Sequence, residues 1–375
     1  MHDLVRFKSQ PSFDVLRTLS VFEGYSRELS ETAFLLKKEK NKKDLYSTYV
    51  VRIVPPEVLW GFFMLQRRNC TKKLLSFGPI AIIVAAILWS LDGLLRRSLY
   101  VLPPLVIVFY EHLIGFLLLV PFLFGHIKSL RTITQKTWGA FAWITLMASI
   151  LGTLFYTAAL GRIHYIQFSV VVLLQQMQPV FVVFFAWLVL KEKISNSFFI
   201  WLIMSLVGAY FVSFPTLIVN WATGSGTIIA ALLAIGAAFA WGSSTAFSRY
   251  ALLQMPSTLA TGLRFGLATL FALLLVLITG QGASLYAINE SQIGALVLIA
   301  LSTGMLAMSI YYYGLKKTPA WVSAICELTW PLSAVIIDYV GFHKSLSLTQ
   351  WLGTLMLLTS IYKVSSMAKG TVATK

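Results

Sequence analysis

Ten apolar stretches of about 20 residues recur along this chain, at about 78–96, 104–124, 138–160, 165–190, 197–217, 226–248, 257–279, 292–315, 319–340 and 349–366. Each is long enough to cross a hydrocarbon core of about 30 Å as a helix. A backbone in lipid must satisfy its own polar groups, which leaves helices or a closed barrel. Sustained period-2 alternation is absent, so the pattern predicts helices. The expected fold is therefore an all-α polytopic membrane protein with ten transmembrane helices.

The first five stretches are repeated by the last five. Trp89, Arg97 and Pro104 match Trp241, Arg249 and Pro256, each 152 residues further on. Ala85-Ala86 matches Ala237-Ala238, and Pro179 matches Pro331, at the same spacing. A repeat with an odd number of spans enters the membrane from opposite sides in its two copies. Two inverted five-helix repeats follow, an arrangement typical of secondary transporters, whose site lies at the repeat interface near the bilayer midplane. The predicted boundaries are 76–217 for the first repeat, 226–366 for the second and 367–375 for a cytoplasmic tail.

Only 12% of residues are charged and mean hydropathy is +0.78, yet the net charge is +16. A basic chain can signal nucleic acid, but here the charge lies in loops and near the N-terminus. With the N-terminus inside, fifteen Lys and Arg flank the inner face: Arg67, Arg68, Lys72, Lys73, Lys128, Arg131, Lys136, Lys191, Lys193, Arg249, Lys316, Lys317, Lys363, Lys369 and Lys375. Only Arg96, Arg97, Arg162 and Lys344 lie outside. This bias places both termini in the cytoplasm of a multi-pass protein of the plasma (inner) membrane. It also makes anionic lipid at the cytoplasmic face the expected partner, and nucleic acid an unexpected one.

Residues 1–75 hold 14 of the 30 basic and 8 of the 14 acidic residues. Their charge run, Lys37 to Lys43, predicts a cytoplasmic, disordered or loosely membrane-associated segment. Translation from Met64 is an alternative, and no cleavable signal peptide precedes the first span. Cys70 and Cys326 fall on different sides of the membrane boundary, so neither a disulfide nor a metal site is expected.

Beyond residue 75 only six acids remain, namely Asp92, Glu111, Glu192, Glu290, Glu327 and Asp338. Intramembrane charges are costly and mark pathways or pairs. Asp92 sits roughly 21 Å from the inner face and Glu111 roughly 10 Å below the outer one, at similar depth. Arg96 follows Asp92 by four residues, the favoured order for an intrahelical pair. Glu111 precedes His112, and His112 occupies the repeat position of Arg264. Either the acid and the imidazole satisfy Arg96 or Arg97, or they titrate in function. Glu327 repeats Gln175, so one half has an acid where the other has an amide. Arg264 and Glu327 lie at similar depth, roughly 10–12 Å from the inner face, and are expected to form a buried ion pair, a coupling site, or both.

Trp89 and Trp241 match across the repeat and lie away from the interfacial belt. Tyr156 and Tyr311 recur at a spacing of 155. They are packing aromatics or the walls of a pocket. Gln175, Gln176 and Gln178 precede Pro179 as Glu327 and Trp330 precede Pro331. Proline frees a backbone carbonyl, so these runs are kinked helices bonded to neighbours or crossings close to a substrate. Gly262 and Gly266 form a small-residue face for helix packing. Walker, zinc-ligand and nucleophile-elbow motifs are absent from the sequence. No cofactor or metal is expected, and no enzyme activity.

The chain resembles the drug/metabolite transporter superfamily, EamA type, over residues 78–366. Gln178-Pro179 followed by Lys191-Glu192-Lys193 looks like that family's proline and basic-flanked glutamate at the end of span four. Leu263-Arg264-Phe265 looks like its Arg-Phe pattern in the second span of a repeat. Residues 341–344 lack the second glutamate, and His112 replaces the first arginine. The resemblance implies a central cavity lined mainly by spans 1, 3, 4, 6, 8 and 9. It also implies export or exchange of small polar, amino-acid-like metabolites by alternating access, for which the intramembrane acid Glu327 makes proton coupling one expectation. A nucleotide-sugar or cofactor exchanger is the alternative within transport. A membrane enzyme or lipid-handling protein is the alternative outside it.

Overall fold

The computed structural model describes residues 78–99, 101–160, 171, 174–214, 216–218, 226–342 and 346–372. The predicted N-terminal segment 1–75, Cys70, Arg162 and Lys344 lie outside the described residues. Every regular element among the described residues is helical.

α1 is Gly78–Ser90. Two short turns, Asp92–Leu95 and Arg96–Leu99, lead toward α2, Pro104–Leu123, which has Pro104 in its first turn. α3 starts as Gln135–Ile144, becomes π-helical over Thr145–Gly152 and returns to α geometry over Thr153–Leu160. α4 is Gln178–Leu190, α5 Asn196–Ser213, α6 Gly226–Leu252 and α7 Ser257–Ile278. α8 runs as Glu290–Ile299, a π-helical stretch Ala300–Gly304, and Met305–Lys317. α9 is Ala320–Glu327 and Thr329–Phe342, broken at Leu328. α10 is Leu348–Val372.

Seven of these helices (α2, α3, α5, α6, α7, α8 and α9) are long and apolar enough to cross a membrane. α1 and α4 are apolar but only 13 residues long, about 20 Å of rise. α1 gives way to short turns at Asp92 and Arg96, which pair with each other, with Glu111 of α2 and with Thr303 of α8. α4 starts late because Pro179 needs an N-terminal position, where its missing N–H is not required. α10 has 25 residues but carries Gln350, Thr354 and Ser360 among its apolar ones.

Packing follows the repeat. The main packed pairs are α3 with α6, α5 with α10, α2 with α7, α1 with α8, α4 with α6 and α1 with α9. Exchanging each helix for its repeat partner leaves this set of pairs unchanged. Small residues make the approaches possible. A Cβ on Gly353 would stand 2.6 Å from the carbonyl of Gly208, so α5 and α10 cross backbone to backbone. On the expected small-residue face of α7, Gly262 lies against Leu123 and Gly266 against Phe116 of α2.

Two irregularities also repeat. The π-helical stretches of α3 and α8 begin 155 residues apart (300 less 145), the spacing of Tyr156 and Tyr311. The turn at Gln176-Met177 before α4 has its counterpart in the break of α9 at Leu328. The prolines at 179 and 331 thus mark real interruptions, as their residue type predicts.

Candidate functional site

The break in α9 places Glu327 at a helix end, half-buried. Its Oε1 accepts hydrogen bonds from the Tyr311 hydroxyl at 2.7 Å and from Ser323 Oγ at 2.8 Å. Its Oε2 accepts from Gln178 Nε2 at 2.8 Å. Gln178 Oε1 accepts in turn from Gln175 Nε2 at 3.0 Å. The acid and its repeat counterpart are therefore joined through one shared amide. Three neutral donors and no cation hold this carboxylate among the described residues.

Two aromatic pairs flank the chain of polar groups. The rings of Trp89 and Tyr311 lie 5.0 Å apart, and those of Tyr156 and Trp241 lie 5.4 Å apart. Each pair joins the first helix of one repeat to the third helix of the other. Trp241 Nε1 donates to the carbonyl of Ala148 at 3.0 Å, inside the π-helical stretch of α3. The wide π turn leaves carbonyls open to such outside donors. Thr245, one turn after Trp241, lies 3.3 Å from the Tyr311 hydroxyl and ties the second pair to Glu327. Trp89, Trp241, Tyr156, Gln178, Glu327 and Trp330 all keep partial exposure. Gln175 and Gln176 are buried, and Gln175 Oε1 and both side-chain polar atoms of Gln176 lack partners among the described residues. Orphaned buried amides are costly, which makes this corner receptive to a polar ligand.

The expected pair between Arg264 and Glu327 does not form. Arg264 Nη1 donates instead to the Tyr312 hydroxyl at 3.1 Å and lies 3.5 Å from Met308 Sδ. Its guanidinium carbon stands 5.7 Å from the centre of the Tyr312 ring. Neighbouring tyrosines separate the two ions, because Tyr311 turns to Glu327 and Tyr312 to Arg264. Similar depth on two helices does not fix which faces meet.

A second cluster forms where depth matching held. Arg96 binds Asp92 through its Nε and Glu111 through Nη2, the latter at 2.7 Å. Thr303, inside the π stretch of α8, donates to the other Asp92 oxygen at 2.7 Å. Two carboxylates thus share one guanidinium. His112 points elsewhere: its Nδ1 donates to the Val108 carbonyl at 2.8 Å and its ring packs 5.0 Å from that of Phe265. Glu111 and His112 are adjacent but make their hydrogen bonds to different partners.

A third cluster escaped the sequence reading. Arg249 Nε donates to Glu192 Oε1 at 2.8 Å, and Arg249 Nη1 donates to the Leu315 carbonyl at 2.5 Å. Glu192 also accepts from the backbone N–H of Ala320, at 3.1 and 3.0 Å to its two oxygens. One ion pair therefore ties together the ends of α4, α6 and α8 and the start of α9. The match of Arg249 with Arg97 and the basic flanks of Glu192 were the available signals. Ser323 was legible too, four residues before Glu327 on one helix face. Among the described residues no three His, Cys, Asp or Glu come together to hold a metal ion.

A family model described as the EamA-like transporter family matches residues 76–214 and 228–366. The riboflavin transporter ImpX of Fusobacterium nucleatum subsp. nucleatum is 30% identical over 293 residues, covering 77% of this chain and 98% of that protein. The uncharacterized transporter YvbV of Bacillus subtilis is 26% identical, covering 76% and 90%. The uncharacterized inner membrane transporter YicL of Salmonella typhimurium is 23% identical, covering 77% and 95%. A solved crystal structure superimposes with a TM-score of 0.63 at 15% identity, over 79% of this chain and 99% of that one. The last likeness concerns the fold alone.

Proposed function

The chain belongs to the EamA-like transporter family, an integral multi-pass membrane protein, and from that premise we propose that it carries a small planar heterocyclic solute of the riboflavin kind. Transport runs by alternating access between two inverted five-helix repeats, residues 76–217 and 226–366. Both termini face the cytoplasm across the plasma (inner) membrane, and the solute exchanges or leaves at the repeat interface.

The observation that carries this reading is the pair of Trp–Tyr contacts at repeat-related positions around Glu327, Gln178 and Gln175. Aromatic faces stack on a planar ring, and amides and a carboxylate match ring N–H and carbonyl groups. The name of the 30% identical relative points the same way. Of the two transport readings open to the sequence, the cofactor-like solute is thereby favoured over an amino acid. An amino-acid-like solute with proton coupling is the second reading, favoured by a deep carboxylate with no cationic partner among the described residues.

The test is flux of riboflavin, an amino-acid mixture and a nucleotide sugar in vesicles holding the purified protein. Saturable riboflavin flux that the other two do not compete supports the reading; amino-acid flux alone sinks it. Reporter fusions after Gln281 and after Ala373 test the topology, with outside and inside signals expected respectively.

A further inference from the structure

At the lysine-bearing end of α4 a groove of about 730 Å³ opens between α4 and α5. Its wall is Phe184, Trp187, Leu188 and Phe199, which are 50%, 61%, 51% and 44% exposed. In a membrane protein such a face meets acyl chains, and a Trp near a helix end marks headgroup depth. Its rim is Lys191, Glu192 and Lys193. The backbone there leaves α4 through a left-handed residue, Lys191 with φ 52°, whose N–H closes on the Ala186 carbonyl. That turn directs Glu192 inward and leaves Lys191 and Lys193 exposed.

The charge balance of the rim then decides what it attracts. Glu192 is already engaged by Arg249 and by the Ala320 N–H, so it does not neutralise the lysines. Neither lysine has an ion-pair partner among the described residues. An apolar wall at acyl depth topped by two uncompensated ammonium groups fits one ligand class. We infer that this groove binds an anionic phospholipid, with its acyl chain on Phe184, Trp187 and Phe199 and its phosphate between Lys191 and Lys193. The bound lipid touches the same turn that holds Glu192 against Arg249. It therefore supports the junction of α4, α6, α8 and α9, and anionic lipid stabilises that arrangement of the bundle.

The experiment compares the full chain in nanodiscs of phosphatidylglycerol with nanodiscs of phosphatidylcholine. Retention of a photoreactive phosphatidylglycerol and the melting temperature are both read. Wild type should crosslink the lipid at the groove and melt higher in phosphatidylglycerol. The variant K191Q/K193Q should lose retention by about fivefold for each lysine removed and lose most of the melting shift. K128Q/K136Q removes two exposed lysines from another loop and should keep both. Inorganic phosphate added to phosphatidylcholine discs should not reproduce the shift. Equal retention in K191Q/K193Q and wild type overturns the site. Equal loss in the two double variants overturns it as well, since bulk surface charge would then account for the effect. Transport of riboflavin enters none of these readouts, so they stand apart from the reading of the substrate.

Discussion

Gln178 donates its amide N–H to Glu327 Oε2 at 2.8 Å, across the point where the break before α4 meets the break inside α9. The two residues are not repeat counterparts. Glu327 matches Gln175, and Gln178 matches Trp330. Sequence symmetry is thus converted into an asymmetric contact: one half supplies a charge and the other an amide that reaches it. An asymmetric bond on a near-symmetric frame is where a two-state transporter can store a preference for one side.

Glu327→Gln should keep the fold and flatten the pH profile of transport. The new amide oxygen can accept from Gln178, while its NH₂ donates to the Tyr311 and Ser323 hydroxyls, which can accept instead of donate. Every group stays satisfied, so stability should change by no more than about 1 kcal/mol. Glu327→Ala should cost more, about 1–3 kcal/mol for each donor left unpaired. Initial rate against pH in vesicles, together with thermal melting, separates charge from packing. An unaltered profile at normal expression removes Glu327 from coupling.

The two tryptophans should differ in stability but not in binding. Trp241→Phe loses the bond to the Ala148 carbonyl, worth about 1 kcal/mol, and should melt lower than Trp89→Phe. Replacing either ring by Ala should weaken a planar aromatic solute, because each tryptophan packs against a tyrosine, and Tyr311 in turn bonds Glu327. Binding measured by fluorescence quenching of riboflavin checks the second claim and thermal melting the first.

Glu192→Gln and Arg249→Lys should both loosen the junction of α4, α6, α8 and α9. The pair is largely shielded, with 13% and 14% of the side chains exposed, and is reinforced by backbone partners on both sides. Each change should cost about 1.5–3 kcal/mol, the range for hydrogen bonds to charged groups. The exchange Glu192→Arg with Arg249→Glu should fail to restore stability. The swapped residues would offer a cation to the Ala320 N–H and a carboxylate to the Leu315 carbonyl. Full rescue by the swap would show that only the ion pair matters.

How legible these sites were depended on what fixed them. Helix positions came from apolar length, and the pairs Trp89–Trp241 and Pro179–Pro331 were visible as matches at one spacing. Asp92 with Arg96 was legible because four residues on one helix fix a face. Arg264 with Glu327 was misread because depth fixes height but not direction, and Tyr311 and Tyr312 took one ion each. The π-helical stretches left no sequence signal. Thr145–Gly152 reads as ordinary apolar helix, and nothing in it announces the π turn whose Ala148 carbonyl accepts the Trp241 indole. Glu192 and Arg249 were each noticed, yet their contact joins residues 57 apart on different helices, which only tertiary packing sets.

That π turn gives the sharpest test of the aromatic frame. A Cβ on Gly152 would lie 2.5 Å from Trp241 Nε1 and 2.7 Å from its Cδ1, and 3.0 Å from the Met147 carbonyl. Gly152→Ala must therefore displace the indole, which breaks its bond to Ala148 and its contact with Tyr156. Overpacking of this kind costs about 1–3 kcal/mol, and transport should fall with it because the second Trp–Tyr pair is lost. Gly139 is the control on the same helix. A Cβ there meets nothing within 4 Å, so Gly139→Ala should gain up to about 1 kcal/mol from helix propensity alone. Combining Gly152→Ala with Trp241→Phe distinguishes a clash from a backbone requirement. If the indole is what the new methyl strikes, the double variant should melt no lower than Gly152→Ala. If the two losses simply add, the glycine is needed by the π-helical backbone and the contact with Trp241 is incidental.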